Sequence, residues 1–202
     1  MDITRQRRKH LQTSHALKQS FIELVLNSHE PDMVTISQIT DKADFNRSTF
    51  YFHFKNKEEL LEDMFNDALQ GIYDAVKYPF IRNEKSYETD ISFITSLLCN
   101  HIENNKRLFK SLAIMSVSPS LFIRMEKFIY RIFTNEFTFY KQADTQQLDY
   151  EISIIYHITS TVGVLRYWIA SDFKYSSEYI SKQLTLNHTS LPVYIKVKGL
   201  TE

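Results

Sequence analysis

Glycine is nearly missing from this chain, three in 202 residues, and there are only four prolines. So few turn-formers disfavour a strand-rich fold and leave all-α as the default. One cysteine, Cys99, excludes an internal disulfide. With no Cys/His cluster at zinc spacing, neither a metal nor a cofactor is expected, and a reducing cytoplasm is the natural setting. Cys99 itself reads as core packing. Net charge is lacking too, with 24 cations against 24 anions, so bulk composition does not advertise nucleic acid. No apolar run approaches membrane-spanning length, and the N-terminus runs from basic residues into polar HLQTSHALKQ rather than an apolar signal segment. No membrane partner is expected. Catalytic signatures are absent as well: no Gly-rich phosphate loop, no His-Glu-x-x-His and no nucleophile motif, so no catalytic residue is assigned.

What is present is local. Between Met1 and Ser20 stand Arg5, Arg7, Arg8, Lys9 and Lys18 against Asp2 alone. This basic arm either reaches phosphate or an adjacent minor groove, or is simply solvated. It leads into a first helix running to about Ser28, with Leu17, Phe21 and Leu24 on one face and Pro31 beyond its end.

The stretch Thr35–Leu60, TISQITDKADFNRSTFYFHFKNKEEL, then reads as two short helices joined by a tight turn and followed by a third. Thr35 is an N-cap, and Ile36, Ile39 and Ala43 make one apolar stripe. Asp44 tolerates the left-handed turn conformation, Phe45 plugs the angle, and Asn46 caps the next helix. That helix begins at Arg47. Arg47, Ser48, Tyr51 and Phe52 fall around its exposed turns, while Thr49, Phe50 and Phe54 lean inward. A basic, hydroxylated leading end suits a major-groove helix, because an Arg fork takes a guanine's two acceptors. Tyr51, His53, Lys55 and Lys57 offer donors to flanking phosphates.

The words TISQIT, ADFNRSTFYFHF and KNKEELL resemble the signature of the tetracycline-repressor (TetR) family of bacterial one-component regulators, over roughly the first third of the chain. The family usually has Gly where this chain has Asp44 and often Tyr where it has His53. The resemblance implies an all-helical homodimer, with an N-terminal three-helix helix-turn-helix DNA-binding domain and a C-terminal helical-bundle effector and dimerisation domain. It places DNA contacts at Thr35, Arg47, Ser48, Thr49, Tyr51, His53 and Lys57. The boundaries expected are 1–66 for the DNA-binding domain, 67–187 for the effector domain and 188–202 for a tail.

After Lys57 a long helix carries Leu61, Met64, Phe65, Ala68, Ile72 and Val76 at helical spacing and is expected to stop at Tyr78–Pro79. Helices are then read over Thr89–Asn104, Lys106–Met115, from Ser118–Pro119 onward (cap, then proline at the first helical position) and Gln147–Ala170, with a last one capped by Ser176. Phe93, Leu97, Phe109, Phe122, Met125, Phe133, Tyr167 and Trp168, with Phe137, either fill the core or enclose an apolar or aromatic effector, with His101 or Tyr140 as a polar handle. His101 and His157 read first as hydrogen-bonded core histidines.

Gln147–Ala170 is apolar on two sides. Leu148, Ile152, Ile155, Val162 and Ile169 make one; Ile154, Ile158, Leu165 and Trp168 make the other. One side can meet a partner subunit, with Gly163 allowing close approach. By resemblance, Ile154, Ile158, Gly163 and Leu165, with Ile180 and Leu184 of the last helix, pair with their copies in a four-helix interface. The run GVLRYWIASDFKYSSEYISKQL looks like a subgroup ending seen in low-GC bacteria. From His188 the tail alternates in a strand-like way.

The function expected is therefore a homodimeric, cytoplasmic repressor on a pseudo-palindromic duplex operator, released by a small effector. The alternative is a regulator whose C-terminal domain binds a partner protein, in the manner of a co-activator system.

Overall fold

The protein is described by a computed structural model over residues 3–81, 91–117, 119–136 and 149–189, and among these every regular element is helical. The order is α1 (Ile3–Asn27), a 3₁₀ turn (Pro31–Met33), α2 (Ile36–Lys42), α3 (Arg47–His53), α4 (Lys57–Ile81), α5 (Ile91–Asn104), α6 (Lys106–Ala113), α7 (Leu121–Glu136), α8 (Tyr150–Ala170) and α9 (Ser177–Thr189). Phe137, Tyr140 and the alternating tail from residue 190 lie outside the described residues.

Sequence dictates most ends locally. Thr35 closes α2 with a capping box: its hydroxyl accepts the Gln38 N–H while the Gln38 side chain accepts the Thr35 N–H. Asp149 caps α8 by accepting the Ile152 N–H at 3.0 Å, and α8 runs from Tyr150, while Gln147 and Leu148 lie outside the described residues. Ser176 caps α9, its hydroxyl accepting the Tyr179 N–H. Helix α7 begins at Leu121, two residues later than the Ser118–Pro119 signal predicts. The Ser120 carbonyl accepts the Arg124 N–H, and Pro119 stays outside the helix, its carbonyl accepting from Arg124 Nε. Helix α4 does not stop at Pro79 but continues to Ile81. A proline there removes only the N–H that would bond to the Ala75 carbonyl, a loss confined to the last turn.

At 25 residues α4 spans about 37 Å. Its first half packs Leu60, Leu61, Met64 and Phe65 against the N-terminal helices, and Ala68, Ile72 and Val76 continue the same stripe beyond them. The apolar core is continuous from Leu17 in α1 to Leu184 in α9. Asp67, at the expected domain boundary, pairs back to Lys18 of α1, which Asp63 also contacts at 2.7 Å. Burial pushes the Lys18 ammonium down, but these two carboxylates outweigh it and the net shift is upward.

Helices α5 and α9 are joined end to end by chemistry as well as by packing. The Glu103 carboxylate accepts the Ser177 N–H at 3.2 Å and the Ser177 hydroxyl at 2.6 Å. Cys99 is fully buried beside it, and burial, then Glu103, lifts its thiol to about 12.

The faces of α8 differ from the division drawn above. Ile154, Ile158, Val162, Leu165, Trp168 and Ile169 are all buried in the protomer. Val162 and Ile169 belong with Ile158 and Leu165, because steps of three and four residues put all of them on one stripe. Ile180 and Leu184 of α9 are likewise buried. Five of the six residues expected at a subunit interface therefore hold the core, and only Gly163 is exposed. The outward apolar residues are Ile152, Ile155, Tyr156 and Tyr167 on α8, with Tyr179 and Leu186 on α9.

Candidate nucleic-acid interface

The turn between α2 and α3 is built from backbone bonds that side chains only permit. Asp44 adopts φ 56°, its N–H donates to the Asp41 carbonyl, and the Phe45 N–H donates to the Thr40 carbonyl at 2.9 Å. That pair of bonds is a Schellman ending, which normally places glycine at the left-handed residue. Phe45 then packs against the core and fixes the angle between α2 and α3. Asn46 takes the N-cap position of α3, but through its carbonyl, which accepts from Thr49 and Phe50 N–H; its side chain makes no cap bond.

On α3 the fully buried Phe50 anchors the helix, and Thr49 is half-buried beside it. Arg47, Ser48, Tyr51 and Phe52 face outward. Phe52 is 75% exposed, an unusual state for a phenyl ring on a folded surface. The Arg47 guanidinium donates to the Tyr51 hydroxyl at 3.4 Å, one turn on. Thr35 is exposed at the start of α2, and Lys55 is exposed after α3, its N–H held by the Glu59 carboxylate.

Two expected phosphate donors sit differently from the rest. Lys57 is half-buried and its ammonium donates to the carbonyls of Asp32 (2.6 Å) and Val34 (3.1 Å), closing the 3₁₀ turn onto α4. His53 is half-buried too, with its ring 4.1 Å from that of His10 on α1 and its Nδ1 buried without a hydrogen-bond partner. Burial first, and His10 second, hold His53 below the usual histidine range. Neither arrangement is legible by spacing, since the partners lie 25 and 43 residues away in sequence.

The face is tied to the rest of the molecule at three points. Asp32 accepts the Ser116 N–H of the α6–α7 connection at 3.0 Å, Glu62 of α4 takes a two-pronged bond from Arg124 of α7, and Glu23 of α1 lies 3.9 Å from Arg107 of α6. Helix α6 reaches the other way through Lys110, which pairs with Asp172 at 2.6 Å. Asp172 and Phe173 both have positive φ, in the turn where Trp168 donates to the Tyr175 carbonyl.

The residues expected to enclose an effector are divided between the core and the surface. Phe109, Met125 and Trp168 are fully buried and Phe122 nearly so, as core; Leu97, His101 and Phe133 are half-buried; Phe93 and Tyr167 face outward. His101 lies against Gly71 of α4, edge-on to Phe109. Two open clefts lie instead between α4 and α7, of about 190 and 450 Å³, with Gln70, Phe128 and Arg131 in both walls. None of the nine expected residues lines either. Among the described residues no group of three metal-ligating side chains occurs, and no helix is long and apolar enough to cross a membrane.

Comparison with known proteins agrees with this geometry. Residues 25–64 match the family described as bacterial regulatory proteins, tetR family, and residues 89–187 match that described as transcriptional regulator C-terminal region. The HTH-type transcriptional regulator YxbF of Bacillus subtilis (strain 168) is 30% identical over 128 residues, 60% of this chain but only 32% of that relative's length. Similar solved structures include the fatty acid degradation regulator FadR of Bacillus halodurans (TM-score 0.60, 16% identity, 87% of this chain and 94% of that one). A TetR transcriptional regulator of Streptococcus agalactiae 2603V is similar too (TM-score 0.58, 18% identity, 91% and 97% covered). So is the dihydroxyacetone kinase operon activator DhaS (TM-score 0.58, 18% identity, 88% and 94% covered). Matched both at its helix-turn-helix and through its C-terminal region, and sharing an all-helical fold with these regulators, the chain belongs to the tetR family of bacterial transcriptional regulators.

Proposed function

We propose that the protein is a cytoplasmic, homodimeric DNA-binding repressor whose α3 helices enter successive major grooves of a pseudo-palindromic operator, about 34–36 Å apart. The observation that carries this is α3 itself: one buried ring, Phe50, pins it while Arg47, Ser48, Tyr51 and Phe52 project from the opposite side. Arg47 reads a base edge, Lys55 and the basic face of α1 meet phosphate, and Thr35, Ser48, Thr49 and Tyr51 fix the register. Dimerisation uses the outward residues of α8 and α9, Ile152, Ile155, Tyr156, Tyr167, Tyr179 and Leu186, around Gly163, where an added Cβ would meet nothing within 4 Å among the described residues. An apolar strip of that kind is otherwise costly to leave in water.

The test is binding of the purified protein to fragments of its own upstream DNA, with salt varied and the footprint recorded. A compact two-fold footprint supports the reading, and Arg47→Ala then costs about 1–3 kcal/mol while relaxing base preference in each half-site. Salt-sensitive binding with no preferred site counts against it.

A second reading concerns the effector. Among the described residues, the aromatic side chains expected around an effector lie in or against the core or face outward, and the two α4–α7 clefts are open. This favours a partner protein over a small enclosed ligand as the molecule that changes the DNA-binding state, with activation in place of repression. Either effector must bind the two states unequally, because equal affinity shifts nothing. Reporter output that rises when the regulator is present supports activation; output that falls supports repression.

A further inference from the structure

At the junction of α1 and α3 three rings meet. His10 lies 4.1 Å from His53 with a 45° tilt, and Phe52 stands near both, 5.8 Å from His10 and 5.4 Å from His53. Phe54 backs His53 at 6.2 Å. Nothing in a buried core requires this cluster: His10 and Phe52 are exposed, and His53 is the last residue of α3, beside the face assigned to DNA. Nδ1 of His53 is buried and has no hydrogen-bond partner among the described residues, which leaves Nε2 for an outside acceptor. We propose that His10 is a positioning residue for His53, and that the pair makes operator binding proton-linked, with His53 taking up a proton as the phosphate backbone approaches. This rests on the DNA-binding reading above.

The charged residues within six positions of His10 or His53 are Arg5, Arg7, Arg8 and Lys9 on α1, Arg47 on α3, Lys55 after it, and Lys57, Glu58 and Glu59 at the start of α4. Glu59 is engaged with the Lys55 N–H, and Lys57 with the 3₁₀-turn carbonyls. Burial first and His10 second hold His53 below the usual range, and both effects favour the neutral ring in the free protein. Duplex DNA reverses the balance. It carries one negative charge per roughly 1.7 Å of axis, and a nearby anion favours the imidazolium. The C-terminal end of α3, where His53 is the last residue, favours that cation too. Affinity therefore rises as pH falls through the window between the depressed value of free His53 and its raised value on DNA.

The experiment is fluorescence anisotropy on an upstream DNA fragment from pH 5.5 to 8.5 at constant ionic strength, with proton uptake counted by calorimetry in two buffers of different ionisation enthalpy. For the wild type, affinity should change by up to about tenfold per pH unit at each half-site, the limit for one proton. His53→Gln should abolish the dependence. His10→Gln, which removes the smaller of the two effects that hold free His53 down and leaves its burial, should make it shallower and move it to higher pH; circular dichroism and unfolding curves establish that both variants are folded. Wild-type binding that does not vary with pH overturns the proposal, as does a His53→Gln profile like the wild type or a His10→Gln profile unchanged in slope and midpoint. Failure to bind any duplex at any pH, even at low salt, refutes the DNA-binding reading itself; pH-independent binding refutes only the proton linkage.

Discussion

At Gly71 of α4 the His101 ring of α5 approaches the backbone closely, and adding one methyl there tests whether that contact is as tight as it looks. A Cβ on residue 71 would lie 2.7 Å from both Cε1 and Nε2 of His101, where ordinary contact begins at 3.4 Å. The ring has little freedom to retreat, since Phe109 stands edge-on at 6.0 Å and the Asn105 amide lies 3.5 Å from Nδ1. Overpacking of this kind costs about 1–3 kcal/mol, while replacing glycine by alanine within a helix gains about 1 kcal/mol in propensity. Gly71→Ala should therefore be neutral to destabilising by up to about 2 kcal/mol. In a His101→Ala background the obstruction is gone, and the same substitution should stabilise by about 1 kcal/mol. Urea unfolding of the four proteins of the cycle, at one fixed concentration because oligomerisation shifts midpoints, measures both effects. If Gly71→Ala is stabilising by the full propensity amount beside an intact His101, the ring is mobile and the reasoning fails.

Asp44→Gly should stabilise the protein by about 0.5–1 kcal/mol, because glycine accepts the left-handed conformation that Asp44 holds at some cost; an unchanged or lower thermal midpoint would contradict this. Lys57→Ala should lower stability by about 1–3 kcal/mol through the two carbonyls it leaves, whereas Lys55→Ala should leave stability alone and reduce the salt slope of DNA binding by about one. A pair with those effects exchanged would make Lys57 the phosphate anchor. Burial depresses His53, His101 and His157, although Asp74 partly opposes the shift at His101. Below about pH 6.5 the unfolded chain then binds more protons than the folded one, so stability is full above that pH and falls as pH drops through it. Urea midpoints that stay flat from pH 7.5 to 5.5 would count against those burials. Native Cys99 should resist a thiol reagent at pH 8 and react fully once unfolded, since its buried thiol sits at about 12.

Local chemistry made the DNA-facing module legible in the sequence. The Thr35 cap, the left-handed Asp44 and the inward Phe50 each depend on residues within one turn, so spacing alone locates them. Helix ends set by competition were harder: Pro119 looked like a first-turn residue, but Ser120 supplies the cap carbonyl one position later. Helix α8 was misread for a different reason. It is apolar nearly all round, and a sequence does not say which side a neighbouring helix covers, so spacing sets Ile154, Ile158 and Leu165 outward when α6, α7 and α9 pack around α8 and all three are buried. His10 with His53, Lys57 with Asp32 and Arg124 with Glu62 join residues 25 to 62 positions apart, and only the packed chain brings them together.

The uninterrupted core along α4 bears on how such a regulator can be rearranged by recombination. A chimaera spliced at residue 66 would set a foreign helix end against Leu61, Met64 and Phe65, and would part Lys18 from Asp67 and Glu62 from Arg124. A new DNA specificity is thus poorly acquired by transplanting the whole head. Exchanging only the outward side chains of α3, which the core does not touch, changes the proposed reading surface and leaves every one of those joints intact.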